Sequence, residues 1–482
     1  MKIALVIDHL NKTFGYDLDS SYYTHIDEWK KWWEGYYKPF HHFTEKNDTK
    51  TIERELFGMK MGKKVCEDWA SLLMTDKTRI VAGTKANERF LQGQNNSGGL
   101  FEDISFWLKE NELIERAWAT GTGAAVLRFE NMLVVDNIVK PDTKSRIYVD
   151  YLSADNIVPL SITAQGVQDV AFASDVTYLG KSFTYISTHR LIDGKYVISN
   201  AYFKEEEGGL EEAELPNGIV KEYSTDSDIP LFALISPNIV KNISGGPGLG
   251  MSVFANAIDQ LKGIDLAYNN FCRDFKLGGK KVFYDQSLTK TDAHGNTITP
   301  DDIAQALFMQ VGDGDGLKDD HKPITEYNPL LRVAENKEGI QAALDYLSLR
   351  VGFGTKHYQF NGSGSIVTAT QYAGDKQDLI QNATKHYIAI EHHIQSLVRA
   401  FLWAGKNVTG APVDPNAAIS IEFDDSYITD KESQKQQFWQ YVVSGKFPFW
   451  RFLVKFEQFS DEEAKEIAAE TAQSMGDPYV IT

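Results

Sequence analysis

Three aspartates, Asp424, Asp425 and Asp430, cluster beside the strand-like run ISIEFDD at 419–425. Carboxylates grouped in this way can hold a divalent metal for phosphodiester hydrolysis, with a nearby lysine assisting. In a chain of formal charge -18 the same grouping also arises by chance and is ordinarily solvated. His386 and His393 stand seven residues apart and can share a helical face, with His392 beside them, yet no cysteine or carboxylate pattern completes a zinc set. They read as structural or exposed histidines. LGKS at 179–182 ends like a phosphate-binding loop, but the glycine that the loop needs five residues before Gly180 is Asp175, and the surroundings are strand-like. DGDGLKDD at 313–320 has the start of a calcium loop, whereas its twelfth position is Ile324 instead of glutamate, so a polar turn is the expectation. Neither GxSxG nor HExxH occurs. No set of residues reads as catalytic, and no metal or cofactor is expected.

Composition narrows the class further. The 482 residues carry 42% hydrophobic and 24% charged side chains, which fits a folded chain of two to four domains and excludes dominant disorder. Lys and Arg total 49 against 67 for Asp and Glu. So acidic a chain is a poor clamp for nucleic acid over its whole surface, although nucleic acid could still slide past it. Two distant cysteines, Cys66 and Cys272, make no disulfide framework and suggest a reducing compartment. The N-terminal MKIALVIDHL is too short for a signal-peptide core, and no run of eighteen apolar residues spans a membrane.

The elements that must position any site fall into a clear order. Residues 20–46 are dense in aromatics, and the spacing 26, 29, 33, 36 or 37 and 40 predicts a helix buried in a core or interface. A nucleobase-stacking platform would need more basic residues than Lys30, Lys31 and Lys38. A second helix is predicted over 52–80 and a third over 100–119, on either side of the break QGQNNSGG. Beyond Gly121, runs such as AAVLRFE, DVAFASDVTYL and SFTYISTHRLI predict antiparallel strands, with KEEEGGLEEAEL as a solvated hairpin tip. After the breaker SGGPGLG, apolar steps predict a long helix from Met251 to about Lys276. A small insert follows, in which KKVFYDQ and KPITEYNPLL read as strands and DDIAQALFMQV as a short helix. A second long helix runs from about Glu335 to Leu349 or Val351. Its apolar stripe is Ile340, Ala343, Leu344, Leu347 and Val351, and its polar stripe is Glu338, Gln341, Asp345 and Ser348. A glycine-rich loop comes next, and Thr368 with Gln371 has capping-box spacing at the head of a third long helix with a seam from Leu379 to Phe401. The remainder is helical, broken at SGKFP and restarted at Ser460 with Glu463.

This order of elements resembles the portal proteins of tailed bacteriophages, nearest the siphophage family found in phages of Gram-positive hosts. The resemblance is carried by IDEWKKWWEGYYKPF, ERELFGMKMGKKVCEDWASLLMTDKTRIV, ERAWATGTGAAVLRF, GPGLGMSVFANAIDQLKGIDLAYNNF, VTATQ and IEFDDSYITDKESQKQQFWQYVVSGKFPFW, in that order over nearly the entire chain. Family members commonly have glutamate where this chain has Gln371. The resemblance implies an α+β portal fold: a wing over residues 1–250, completed by a long helix and strand over 370–427, stem helices over 251–276 and 335–350, a clip over 277–334, a tunnel loop over 351–369 and a crown over 428–482.

It implies no enzymatic activity. It implies a ring, usually of twelve subunits, at one capsid vertex of the virion, assembled from chains made in the host cytoplasm. Double-stranded DNA would pass through it during packaging and ejection. Partners would be the large terminase, which hydrolyses ATP, a head-completion adaptor, tail proteins, and the major capsid and scaffolding proteins, with no membrane. On this reading Glu338, Gln341, Asp345 and Ser348 line the channel, and their acidity repels phosphate, so DNA does not stick. Lys356, His357, Tyr358, Gln359 and Asn361 belong to the tunnel loop, where Lys356 and His357 either touch phosphate weakly or are ordinary loop charges. Asp313, Asp315, Asp319 and Asp320 mark the clip where motor and adaptor dock. Two other readings stay open: a metal-dependent phage DNA-processing enzyme using Asp424, Asp425 and Asp430, and a cellular scaffold with no channel.

Overall fold

A computed structural model of the chain describes residues 3–475, apart from 48–49, 76, 95–96, 179, 207–208, 217, 286–287, 289, 292, 296, 299–306, 312–323, 360–376, 424–430, 458 and 460. The first 120 residues form helices α1 (Ile3–Phe14), α2 (Tyr23–Glu34), α3 (Lys38–His41), α4 (Met61–Leu73), α5 (Lys85–Gln92), α6 (Leu100–Asp103) and α7 (Phe106–Thr120). Helix α2 buries Ile26, Trp29 and Trp32, so its aromatics are core as expected, and Trp32 takes the inner place expected of Trp33. Gly35 stops the helix in the left-handed region at φ 85°, where its N–H reaches the carbonyls of Lys31 and Trp32.

The helix expected over 52–80 is much shorter. Strands His42–Asn47 and Lys50–Glu55 pair into a hairpin, pairing His42 with Glu55 at its base, and α4 begins only at Met61. The reason lies in the backbone donors between them. Phe57 N–H goes to Asn269 Oδ1 (3.3 Å) and Met59 N–H to Asp265 Oδ1 (2.7 Å), so neither is available for a helical ladder.

The strand region forms two sheets. Three strands, Phe232–Ile235, Gly123–Glu130 and Arg146–Ser153, make one antiparallel sheet. The larger sheet is built on the meander Ile157–Thr163, Gly166–Tyr178, Lys181–Ile192 and Lys195–Glu206. The acidic segment expected as a hairpin tip contributes the strand Gly209–Ala213, which pairs back on Lys195–Glu206. Arg128 ties the two sheets: its Nε donates to Asp150 (2.8 Å) and its Nη1 to Ser187 (2.9 Å).

Among the described residues the remaining α-helices are α8 (Ile258–Leu277), α9 (Val333–Arg350), α10 (Gln377–Ala404), α11 (Lys431–Val443), α12 (Phe449–Glu457) and α13 (Asp461–Met475). Helix α8 starts later than Met251, because the backbone of 250–253 bonds elsewhere. Gly250 N–H reaches Thr122 Oγ1 (2.9 Å) and Val253 N–H reaches Trp118 O (2.9 Å). Within the insert, Phe308–Val311 is a strand in parallel register with Lys281–Asp285, Val282 facing Phe308, where the sequence pattern predicted the end of a short helix. Ile324–Tyr327 pairs antiparallel on the other side, as expected of a strand. Helix α10 is the axis of the body. Leu379, Ala383, Ile390, Ile394, Leu397 and Phe401 are all buried along the expected seam. The capping residue Thr368 lies outside the described residues.

Candidate functional site

Two antiparallel helices carry the insert. Helices α8 and α9 pack through Leu261 and Ile264 on one and Ile340, Leu344 and Leu347 on the other, all buried. Their ends next to the insert are joined by Asp274. Its Oδ1 accepts from Arg332 Nη2 and its Oδ2 from Asn336 Nδ2, both at 2.8 Å. The hydrogen bonds from Arg332 and Asn336 hold this carboxyl below its ordinary value. At the opposite end of the pair Arg350 Nε donates to Asn256 O (3.1 Å). Each helix is therefore fixed to its partner at both ends by polar contacts and along its length by apolar packing.

Helix α8 joins the body at Asp265, which is buried. Its Oδ2 lies 3.0 Å from His41 Nε2, and its Oδ1 takes the Met59 N–H. Burial pushes the Asp265 carboxyl up, against the pull of those two partners. The same contacts seat the root of the hairpin, where Leu56 N–H donates to His41 O (2.8 Å).

Helix α9 joins the body through the residues that follow it. Gly352 at φ 93° and Gly354 at φ 77° turn the chain twice and drop Phe353 into the core between them. Phe353 stacks on Trp69 with ring centroids 4.5 Å apart, and His357 stacks on its other side at 4.3 Å. Trp69 Nε1 donates to Val351 O (3.2 Å), and Asn382 Nδ2 to Gly352 O (3.1 Å). Asp68 lies 3.8 Å from His357 and 2.6 Å from Lys64. Burial would raise the Asp68 carboxyl, but the neighbouring His357 and Lys64 hold it below its ordinary value.

The residues singled out in the sequence therefore have unequal places. Glu338 is exposed on α9. Gln341 is half-buried, its Nε2 donating to Asp345 Oδ1 (2.9 Å) and to Tyr358 O (2.7 Å). Ser348 is fully buried, so within this chain the polar stripe turns inward before it reaches that position. The exposed face of α9 instead runs through Glu335, Glu338, Ala342, Tyr346 and Leu349. Tyr346 is 68% exposed and Leu349 54%, and no periodicity in the sequence marks them as outward-facing. Lys356 is exposed at φ 65°, and Gln359 is exposed. His357 and Tyr358, expected in a flexible loop, sit half-buried against α4. Asn361, Asp313, Asp315, Asp319, Asp320, Asp424, Asp425 and Asp430 lie outside the described residues.

Two of the three helix histidines, His386 and His393, are structural. His386 is buried between Trp69 and Trp118, and its Nδ1 accepts the Asn238 N–H (3.1 Å). Burial, helped by Lys385, pulls its pKa down to about 3. His393 is buried with Nε2 3.0 Å from Glu110, and His392 is exposed. Among the described residues no group of three or more His, Cys, Asp or Glu could hold a metal ion. Cys66 and Cys272 are both free thiols, and no helix among the described residues is long and apolar enough to cross a membrane.

Residues 16–477 match a family model described as phage portal protein, SPP1 Gp6-like. No curated protein matches the sequence. Among solved structures, the chain is similar to one from the neck of a native GTA particle computed with C12 symmetry. The two share 10% identity with a TM-score of 0.41 over 82% of this chain and 89% of that one. A chain from the neck of an empty GTA particle computed with C6 symmetry gives 11% identity and a TM-score of 0.40, over 81% and 87% of the two chains.

Proposed function

This chain belongs to the phage portal proteins of the SPP1 Gp6-like family, and from that premise we propose that it assembles as a ring, of about twelve subunits as the family resemblance implies, at one vertex of the virion capsid. The ring is a non-catalytic conduit for double-stranded DNA, and a separate terminase supplies ATP hydrolysis. Helices α8 and α9 form the stem, the insert between them the clip, and Asp313, Asp315, Asp319 and Asp320 the docking surface for terminase and the head-completion adaptor. Glu338 leads the acidic lining of the channel, with Gln341 and Asp345 behind it and Ser348 serving the packing of the helix pair. Residues 351–359 anchor the tunnel loop, whose remaining residues, including Asn361, reach the DNA together with Lys356.

The match of one portal family to 462 consecutive positions, 16 to 477, carries the reading. The stem supports it physically. Tyr346 and Leu349 on α9 and Leu266, Phe275 and Leu277 on α8 are apolar and exposed in a single chain, a pattern that marks surfaces covered by association. The overall charge of -18 suits a lining that does not hold phosphate. Negative-stain electron microscopy with native mass measurement tests the proposal. Rings of about a dozen subunits with a stain-filled centre are expected. A protein that stays monomeric at every concentration, and is absent from capsids when co-expressed with scaffold, rules it out.

A further inference from the structure

The two sheets of the strand region do not close completely on one another. Between them lies a cavity of about 400 Å³, within the ~300–1,000 Å³ range of small-molecule sites. The pleat fixes what looks into it. On the three-stranded sheet Arg128 stands opposite Tyr148, and Asp150 lies two residues further along the same face. On the larger sheet Tyr185 pairs with Tyr202, Ser187 with Asn200, and Tyr223 with Ile198, all on one face. Asp175 borders the cavity too, but it alternates with Ser174, the partner of Tyr185, so its side chain belongs to the other face.

The cavity is walled by polar groups that the chain has buried and only partly satisfied. Arg128 is 9% exposed, yet it uses only part of its donor fork, Nε on Asp150 Oδ2 and Nη1 on Ser187 Oγ. Its guanidinium carbon lies 5.0 Å from the centre of the Tyr185 ring. Tyr185 in turn donates to Asn200 Oδ1 (2.8 Å), and Asn200 Nδ2 to Val220 O (2.8 Å). Among the described residues Arg128 Nη2, Asp150 Oδ1 and the hydroxyls of Tyr202 and Tyr223 have no partner. None of the four is sealed from solvent, and the residues that carry them line the cavity.

The charges on these inner faces cancel. Arg128 and Asp150 are paired with each other, so an anion would meet Asp150 and a cation would meet Arg128. What the pair presents is a free donor beside a free acceptor. Two neighbouring hydroxyl groups match it, because each can give and take a hydrogen bond, and the tyrosine hydroxyls can also do either. The rings disfavour a flat ligand. Tyr185 meets Tyr202 at 59°, and Arg128 already covers one face of Tyr185, so these rings make no parallel slot for a nucleobase. An angled cup suits a puckered ring whose C–H groups rest on the negative face of an aromatic. Tyr148, 45% exposed, offers such a face.

We propose that this cavity binds one pyranose ring, free or at the end of a glycan, with Arg128 Nη2 and Asp150 Oδ1 on adjacent hydroxyls and Tyr148 against its C–H face. The site goes beyond the conduit reading and does not depend on it. Saturation-transfer NMR on the intact chain tests it, with glucose, N-acetylglucosamine, their methyl glycosides, adenosine, inorganic phosphate and tetramethylammonium as probes. Transfer to the ring protons of a sugar is expected, with a dissociation constant near ~1 mM for a ligand of about a dozen heavy atoms. Equal binding of the methyl glycoside assigns the site to a glycan end, and binding of the reducing sugar alone assigns it to a free sugar. Y202F/Y223F removes only the two unpartnered hydroxyls. It is expected to keep the wild-type thermal midpoint and to weaken sugar binding by about tenfold. No transfer from any sugar at roughly ten times the expected constant overturns the proposal, as does binding of adenosine, phosphate or tetramethylammonium in its place. Sugar binding unchanged in Y202F/Y223F overturns this location, and a large fall in the variant's thermal midpoint shows that the hydroxyls already serve the fold and overturns it equally.

Discussion

The body and the stem solve the same packing problem in opposite ways. In the body, α10 lies among α4, α7 and the strand Phe232–Ile235, and Leu379, Ala383, Ile390, Ile394, Leu397 and Phe401 of its seam are buried by the same chain. Tyr387 even spends its hydroxyl on Leu72 O (3.2 Å), and His393 is satisfied by Glu110 and Leu234. The stem helices bury one face each, and the other face is left with Tyr346, Leu349, Leu266 and Leu277 in solvent. An apolar side chain contributes to folding only where its own chain removes it from water. The body is thus stabilised within one chain, and the stem's outer faces are available to stabilise an assembly.

That contrast can be broken most sharply at the joint between the two regions. Trp69 is fully buried, stacked on Phe353 and edge-on to His386. W69A is expected to cost ~3–5 kcal/mol of unfolding free energy by denaturant titration, and to free residues 351–359 to rapid amide exchange. A cost under ~1 kcal/mol would mean that the joint is not part of the cooperative core.

Acid offers a second test of the body. His386 is neutral in the fold, with its pKa pulled down to about 3 by burial against about 6.5 when unfolded. Between those values the unfolded chain binds the extra proton, so stability is complete above pH 6.5 and falls as the pH drops toward 3. Buried His189, pulled well down by burial and by Arg128, acts in the same direction. Thermal midpoints measured from pH 7 to pH 4 should therefore decline, and H386N should flatten the decline in part. An unchanged slope in H386N would place the acid sensitivity elsewhere.

The smallest effect on the single chain belongs to the stem surface. Y346S/L349S is expected to move monomer stability by no more than ~0.5 kcal/mol, yet to lower the fraction of assembled protein seen by native mass. A large loss of monomer stability would erase the distinction between body and stem.

How much of this was legible beforehand depends on where each hydrogen bond goes. The seam of α10 and the apolar faces of α8 and α9 follow from apolar residues three and four apart, because a helix satisfies its backbone locally and needs only one face covered. The meander strands follow from alternation for a similar reason. The hairpin at 42–55 and the late start of α4 were not legible, since Asp265 and Asn269, more than two hundred residues away, take the Met59 and Phe57 donors. Nor did the pattern of α9 reveal that Ser348 is buried and Tyr346 exposed. The sequence by itself determined the element order, the acidic balance, the absence of a recognisable catalytic motif and the resemblance to portal proteins. Only the tertiary structure decided that His357 is anchored on Phe353 beside Asp68, that His386 is a core residue, and which apolar residues remain uncovered. Periodicity reports which faces can be buried, and contacts between distant segments decide which of them one chain buries.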